Sequence, residues 1–226
     1  MIFNKLHQWD VSPEQAIALQ RTLASQIVQE DHLSNVRLIA GVDMALSLHH
    51  GRGRAAIVVL TYPDLQIVEE QVHEDVLLMP YIPGLLSFRE LPCILGAFEK
   101  LVHTPDLIMV DGMGIAHPRR LGIACHLGLW LNIPTIGCGK SVLTGKYDYN
   151  ALSEEKGSCT PLISHGTIIG QVVRTRTKVA PLFISSGHLI SLKTSVEYVL
   201  ACATKYRLPE PTRLADKLSK DKTRLL

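Results

Sequence analysis

The chain has 226 residues, 46% of them hydrophobic, and its 23 Lys and Arg against 21 Asp and Glu leave a formal net charge of +2. That supply of apolar side chains supports a packed core and excludes collagen-like, disordered and disulfide-scaffold classes. The near-neutral balance neither requires nor excludes nucleic acid, because a basic groove can lie on a neutral protein.

Ser12-Pro13-Glu14-Gln15 reads as a helix start, with Ser12 as cap, Pro13 in the first turn and Gln15 placed for a capping box. Ala16, Leu19, Leu23, Ile27 and Val28 follow at helical spacing, which predicts a helix to about Glu30. Strand-like runs span Val36 to Leu46, Ala55 to Tyr62 and Gln66 to Val76, joined by His49-His50-Gly51-Arg52-Gly53 and Tyr62-Pro63-Asp64. Connections that short predict an antiparallel meander. A helix from Ser87 to Val102, a strand from Leu107 to Val110 and a helix from Leu121 to Leu131 come next. A short strand, Pro134 to Cys138, leads into a polar stretch from Gly139 to Ser158. Strands Gly166 to Arg176 and Pro181 to Ser185 then precede a helix from Ser191 to Tyr206, so that helices stand at both ends of the order. The order predicts one mixed α/β domain over residues 1–226, with a basic tail from about Lys217 free to fray.

Five cysteines, widely spaced and without C-x-x-C, predict a reduced compartment and no structural zinc. No apolar run approaches the roughly 18 residues that span a bilayer, and the N-terminus lacks a secretory apolar stretch. A cytoplasmic protein off the membrane, monomeric by default, is expected.

Two carboxylates stand where apolar residues belong. Asp43 interrupts Leu38-Ile39-Ala40-Gly41-Val42-Asp43-Met44-Ala45, and Asp111 ends Leu107-Ile108-Met109-Val110-Asp111 ahead of a glycine. If the fourth strand lies beside the first, both acids meet, and a shared divalent cation such as Mg²⁺ or Mn²⁺ relieves their repulsion. Glu90, in the first turn of the helix near Ser87, and Asp216 are candidates to complete the cluster. The plainer alternative makes each a turn, cap or solvated helix residue.

Gly137-Cys138-Gly139-Lys140-Ser141 resembles the end of a phosphate loop, but Pro134 stands where its first glycine belongs. Gly112-Met113-Gly114 has His117 in place of the third glycine of a dinucleotide fingerprint. Neither motif is complete. Lys140 remains a point charge within reach of a phosphate. Two prolines make Met79-Pro80-Tyr81-Ile82-Pro83-Gly84 a stiff loop with an apolar tip, suited either to wedging into a base stack or to folding back into the core.

Taken in order from Asn35 to Ser219, these segments resemble the endonuclease V family. The matching runs include Gly41-Val42-Asp43, Pro80-Tyr81-Ile82-Pro83-Gly84, Phe88-Arg89-Glu90 and Val110-Asp111-Gly112. They continue through Gly114-Ile115-Ala116-His117-Pro118-Arg119, Leu121-Gly122-Ile123, Gly139-Lys140-Ser141, Gly187-His188 and Pro211-Thr212-Arg213-Leu214-Ala215-Asp216. The resemblance implies an RNase H-like fold: a mixed sheet of three antiparallel strands followed by alternating helices and strands, flanked by helices. It implies that Asp43, Asp111 and Glu90 bind Mg²⁺, with Mn²⁺ as substitute, that Asp216 completes the acidic cluster, and that Lys140 contacts the scissile phosphate. Tyr81, with Pro80, Ile82 and Pro83, looks like a strand-separating wedge, and Gly84, Leu85, His117, Gly122 and Ile123 match the pocket for a flipped hypoxanthine. The implied activity is cleavage of the second phosphodiester bond 3′ to deoxyinosine in double- or single-stranded DNA, leaving 3′-hydroxyl and 5′-phosphate ends. Inosine-containing RNA or a branched structure as target, or a non-catalytic nucleic-acid-binding module, are the alternatives.

Overall fold

The computed structural model describes residues 3–46 and 51–221; His49 and His50 of the first strand connection and residues 222–226 of the tail lie outside the described residues. Helix α1 (Pro13–Ala24) opens on a complete capping box: Ser12 Oγ accepts from the Gln15 amide, and Gln15 Oε1 accepts from the Ser12 amide at 2.8 Å. It ends at Ala24, short of the expected Glu30. The Val28 amide instead donates to His188 Nδ1 at 3.3 Å, and the Val28 carbonyl accepts from the Leu189 amide at 2.7 Å, so tertiary bonds replace helical ones.

β1 (Leu38–Leu46), β2 (Arg52–Thr61) and β3 (Ile67–Val76) form the expected antiparallel meander. After α2 (Leu86–Phe98), β4 (Leu107–Val110) returns parallel to β1, and after α3 (Ile123–Leu131), β5 (Thr135–Gly139) lies parallel to β4. β6 (Cys159–Ser164), β7 (Thr167–Val173) and β8 (Leu182–His188) add antiparallel neighbours, followed by α4 (Leu192–Cys202) and α5 (Glu210–Ser219). Among the described residues the strands make one eight-stranded sheet, ordered β3-β2-β1-β4-β5-β8-β7-β6. The mixed sheet flanked by helices is thus the expected one. No helix among the described residues is long and apolar enough to cross a membrane.

Helices α2 and α3 cover one face of the sheet, where Ile94, Phe98 and Leu127 pack with Val42, Ile57 and Val110. On the other face α4 sets Val199 and Cys202 against Ile39, Met109 and Ile184, and α5 sets Ala215 and Leu218 over Val58 and Leu60. Cover on both sides explains why β2 is buried from Gly53 to Leu60 and reads as an unbroken apolar run after Arg54.

β6 is a strand that was not expected from the sequence; it contains Pro161, which cannot donate to a ladder. β6 lies at the sheet edge, where a proline is tolerated. A further difference is at the tail: α5 runs through Ser219, with Leu218 and Ser219 buried, so order passes Lys217, where fraying was expected to begin.

Gly41 of β1 lets α5 start against the strand. A Cβ at this position would stand 1.9 Å from the Pro211 carbonyl oxygen, a backbone atom that cannot swing aside. Gly41→Ala is therefore expected to destabilise the protein by about 2–3 kcal/mol, seen as a lower urea midpoint, because α5 must lift off β1.

Candidate active site

Strand register brings the first two acids together. Val110, the last residue of β4, pairs with Val42 of β1, and the Asp111 amide donates to the Val42 carbonyl at 3.0 Å, which sets Asp111 beside Asp43. Helix α5, seated on Gly41, delivers Asp216 to the same point. One carboxylate oxygen from each of Asp43, Asp111 and Asp216 lies within 4.8 Å of the others.

Asp43 is 8% exposed, and burial pushes its pKa up to about 7 despite the hydrogen bond from Ser219 Oγ at 2.5 Å; the charges of Asp111 and Asp216 push the same way. Lys140, the first residue after β5, puts Nζ between Asp111 and Asp216, 2.7 Å from the latter. Burial opposes its charge, but the bonds to Asp111 and Asp216 hold its pKa above the usual lysine range. Burial also acts to raise Asp216, yet Lys140 and Lys220, the latter 2.7 Å away, hold it below the usual carboxylate range. Three hard oxygen donors on repelling, partly buried carboxylates, with an ammonium already drawn between two of them, form a donor set that could hold a divalent metal ion.

Glu90, expected as the third ligand beside Asp43 and Asp111, is not in this trio; Asp216 takes that place. Since α2 begins at Leu86, Glu90 rides in its second turn rather than its first. It is half-buried and close enough to be affected: burial, then the charge of Asp43, pushes its pKa up to about 8.

A cavity of about 270 Å³ adjoins the trio, sharing Asp111 and Lys140 as wall residues. Gly84, His117, Gly122 and Ile123 line it. Leu85 does not: it is fully buried with Met79, Ala16 and Phe88, and its neighbour Leu86 lines the cavity instead. Gly84 has φ +81°, the left-handed conformation that favours glycine, and its nearest neighbour there is Arg119 Nη2. His117 is held neutral, its pKa pushed down to about 4 by burial and then by the Arg119 charge. Its Nε2 donates to the Gly84 carbonyl at 3.0 Å and its Nδ1 accepts from the Arg119 amide at 3.1 Å, which fixes the tautomer. A wider groove of about 690 Å³ runs beside β6, but its lining residues contain no carboxylate cluster.

The proline loop, whose Gly84 lines the cavity, divides. Tyr81 is 65% exposed, with Pro80 and Pro83 also at the surface, whereas Ile82 packs inward against the Met79 and Phe88 cluster. Tyr81 is the projecting aromatic of that loop tip, while Ile82 is half-buried.

The Endonuclease V family model matches residues 21–217. The chain belongs to the endonuclease V family. It is accordingly an endonuclease, a hydrolase of phosphodiester bonds. An endonuclease V of Nostoc punctiforme is 52% identical over 223 residues, 98% of this chain and 100% of that one. The crystal structure of the Bacillus subtilis endonuclease V superposes with a TM-score of 0.91 at 32% identity, covering 97% of this chain and 95% of the other. The Ciona intestinalis endonuclease V, with a TM-score of 0.81 and 29% identity over 93% of this chain and 97% of its own, was crystallised with a 24mer DNA containing an inosine followed by a ribo-adenosine.

In this endonuclease V family member three residues near the trio or the cavity lie outside the motifs that carry the resemblance. Ser219 binds Asp43, and Arg207 Nη2 holds the Lys140 carbonyl at 2.7 Å and the Pro181 carbonyl at 2.8 Å, which steadies the loop that carries Lys140. Gln20 of α1 lines the cavity and is 1% exposed. Only Gln20 left a trace in the sequence: it lies four residues after Ala16 and three before Leu23, a polar side chain on an apolar stripe.

Proposed function

We propose that this chain is a DNA repair endonuclease that recognises deoxyinosine and, with Mg²⁺ or Mn²⁺, cuts the second phosphodiester bond 3′ to the lesion, leaving 3′-hydroxyl and 5′-phosphate ends. The observation that carries the reading is the junction of a base-sized cavity with a carboxylate trio, beside one projecting aromatic. In this reading Asp43, Asp111 and Asp216 hold the cation and Glu90 stands behind them. When bound, the cation supplies Lewis-acid polarisation of the phosphate and a more acidic water. The protein works as a monomeric single domain in the cytoplasm, on double- or single-stranded DNA.

The chain's own groups do the rest. Tyr81 enters the base stack and fills the gap left by the extruded base, which is least costly to extract when mispaired. The cavity, walled in part by backbone of Gly84 and Gly122, takes the base; adenine leaves polar atoms unpaired there and guanine is crowded out at its 2-amino group. Lys140 offers its ammonium to the phosphate, placed by the Arg207 bond to its carbonyl.

Mapping the product from a duplex with one deoxyinosine, in Mg²⁺ or in EDTA, tests this. A metal-dependent nick at the second 3′ bond is expected; a structural acidic cluster in a binding module gives no metal-dependent product. Tyr81→Ala is expected to weaken inosine-duplex binding by about tenfold or more, since a base–aromatic stack contributes about 1–3 kcal/mol; unchanged affinity in a gel-shift titration removes Tyr81 as the wedge. The ribo-adenosine after inosine in the Ciona complex favours inosine in RNA as a second reading, separated by matched RNA and DNA oligonucleotides cut side by side.

A further inference from the structure

Gln20 stands one residue before the segment matched by the family model, yet its amide reaches the cavity. Its Oε1 accepts from Arg119 Nε at 2.5 Å, and because a guanidinium only donates, this contact decides which end of the amide is oxygen. Nε2 therefore faces the other way, donating to the Gly84 carbonyl at 2.9 Å and the Leu121 carbonyl at 3.4 Å. Those carbonyls belong to two separate stretches of cavity wall, one in the loop that leads into α2 and one in the loop that leads into α3. Arg119 Nη2 adds a bond to the same Gly84 carbonyl at 2.7 Å.

We infer that Gln20 is a positioning residue that ties these two wall segments together and so sets the width of the base pocket against a 2-amino purine. The inference rests on the deoxyinosine reading above and deepens it. Hypoxanthine and guanine present the same O6 and N1–H edge and differ only at C2, where one carries hydrogen and the other an amino group. Hydrogen bonding along the shared edge cannot separate them; space at C2 can. Rejection by size needs walls that do not part, because a pocket that yields accepts the larger base with little loss. A buried amide whose two N–H groups are shared between the segments, and whose oxygen is pinned by Arg119, is such a restraint.

The test compares single-turnover cutting of duplexes that differ only in hypoxanthine or guanine opposite thymine. Gln20→Met keeps the volume and makes none of the bonds. Its KM on hypoxanthine is expected to rise about tenfold with the maximal rate within about threefold, while the hypoxanthine-over-guanine preference falls at least about tenfold. Arg119→Met, which frees the other end of the amide, is expected to move the preference the same way, and covers the case in which Gln20→Met does not fold. An unchanged preference in the folded variants overturns the inference, as does an equal loss of maximal rate on both bases, which is what a merely structural or catalytic defect produces. Wild-type protein that leaves the hypoxanthine duplex intact overturns the deoxyinosine reading itself.

Discussion

Asp43→Asn is expected to slow nicking of a deoxyinosine duplex by about 10³-fold or more, about 4 kcal/mol of barrier, while binding of the same duplex in EDTA stays within a few-fold. The asymmetry follows from position. Asp43 lies in the carboxylate trio and is not among the cavity-lining residues, so the change leaves the cavity wall intact. Asparagine keeps the shape and an oxygen able to accept from Ser219 Oγ, so the helix α5 contact survives. Asp111→Asn is expected to slow nicking alike, with two differences: Asp111 also walls the cavity, so duplex binding need not be spared, and Lys140 loses one of its two carboxylate partners and keeps Asp216. Nicking by either variant at the wild-type rate would remove these acids from the catalytic site.

The same substitution is expected to stabilise the metal-free protein, by an amount that grows with pH. Asp43 has a folded-state pKa of about 7 against 3.8 for the free side chain, so the folded protein retains a proton that the unfolded chain has lost. Between those values the unfolded state binds fewer protons, and stability falls as pH rises. The stability gap between Asp43→Asn and wild type in EDTA therefore widens from pH 4 to pH 7 and then levels, reaching the order of 3 kcal/mol. Taking the difference between the two proteins matters, because His117, His126, His7 and His188 are all held below the ordinary histidine range and add an opposite slope below about pH 6.5. That contribution is common to both proteins and cancels. Urea midpoints at pH 5, 6, 7 and 8 measure the gap; a gap that is constant across the range places Asp43 in an unstrained site. Millimolar Mg²⁺ is expected to reverse its sign, since the cation stabilises only the folded state that can bind it.

Much of this site was legible because charges interrupt apolar runs. Asp43 and Asp111 stood out against strands that are otherwise uniformly apolar, and their meeting depended on the fourth strand lying beside the first, which the register of Val42 with Val110 shows. Choosing the third acid was a different matter. Whether Asp216 or Glu90 joins the pair depends on α5 crossing β1 at Gly41, a close backbone approach that no periodicity records. Leu85 and Leu86 show the limit in another form: adjacent identical residues at a helix start face core and cavity respectively, and only the exact first residue of α2 decides which. Ser219 is a short polar side chain in a segment read as a fraying tail, and its burial arises wholly from tertiary contact.

The edges of the sheet carry a consequence of their own. At one end β6 contains Pro161, which brings no N–H, and Ile163, whose N–H and C=O are both taken by Lys146 at 2.8 Å. At the other, β3 carries Glu69, Glu70, Glu74 and Asp75 within a single ten-residue strand. A second chain seeking to add a strand meets blocked positions on one side and a row of like charges on the other, which is how edge strands resist aggregation. The sheet thus terminates itself, so the protein is expected to tolerate high concentration and transient opening without growing into fibrils.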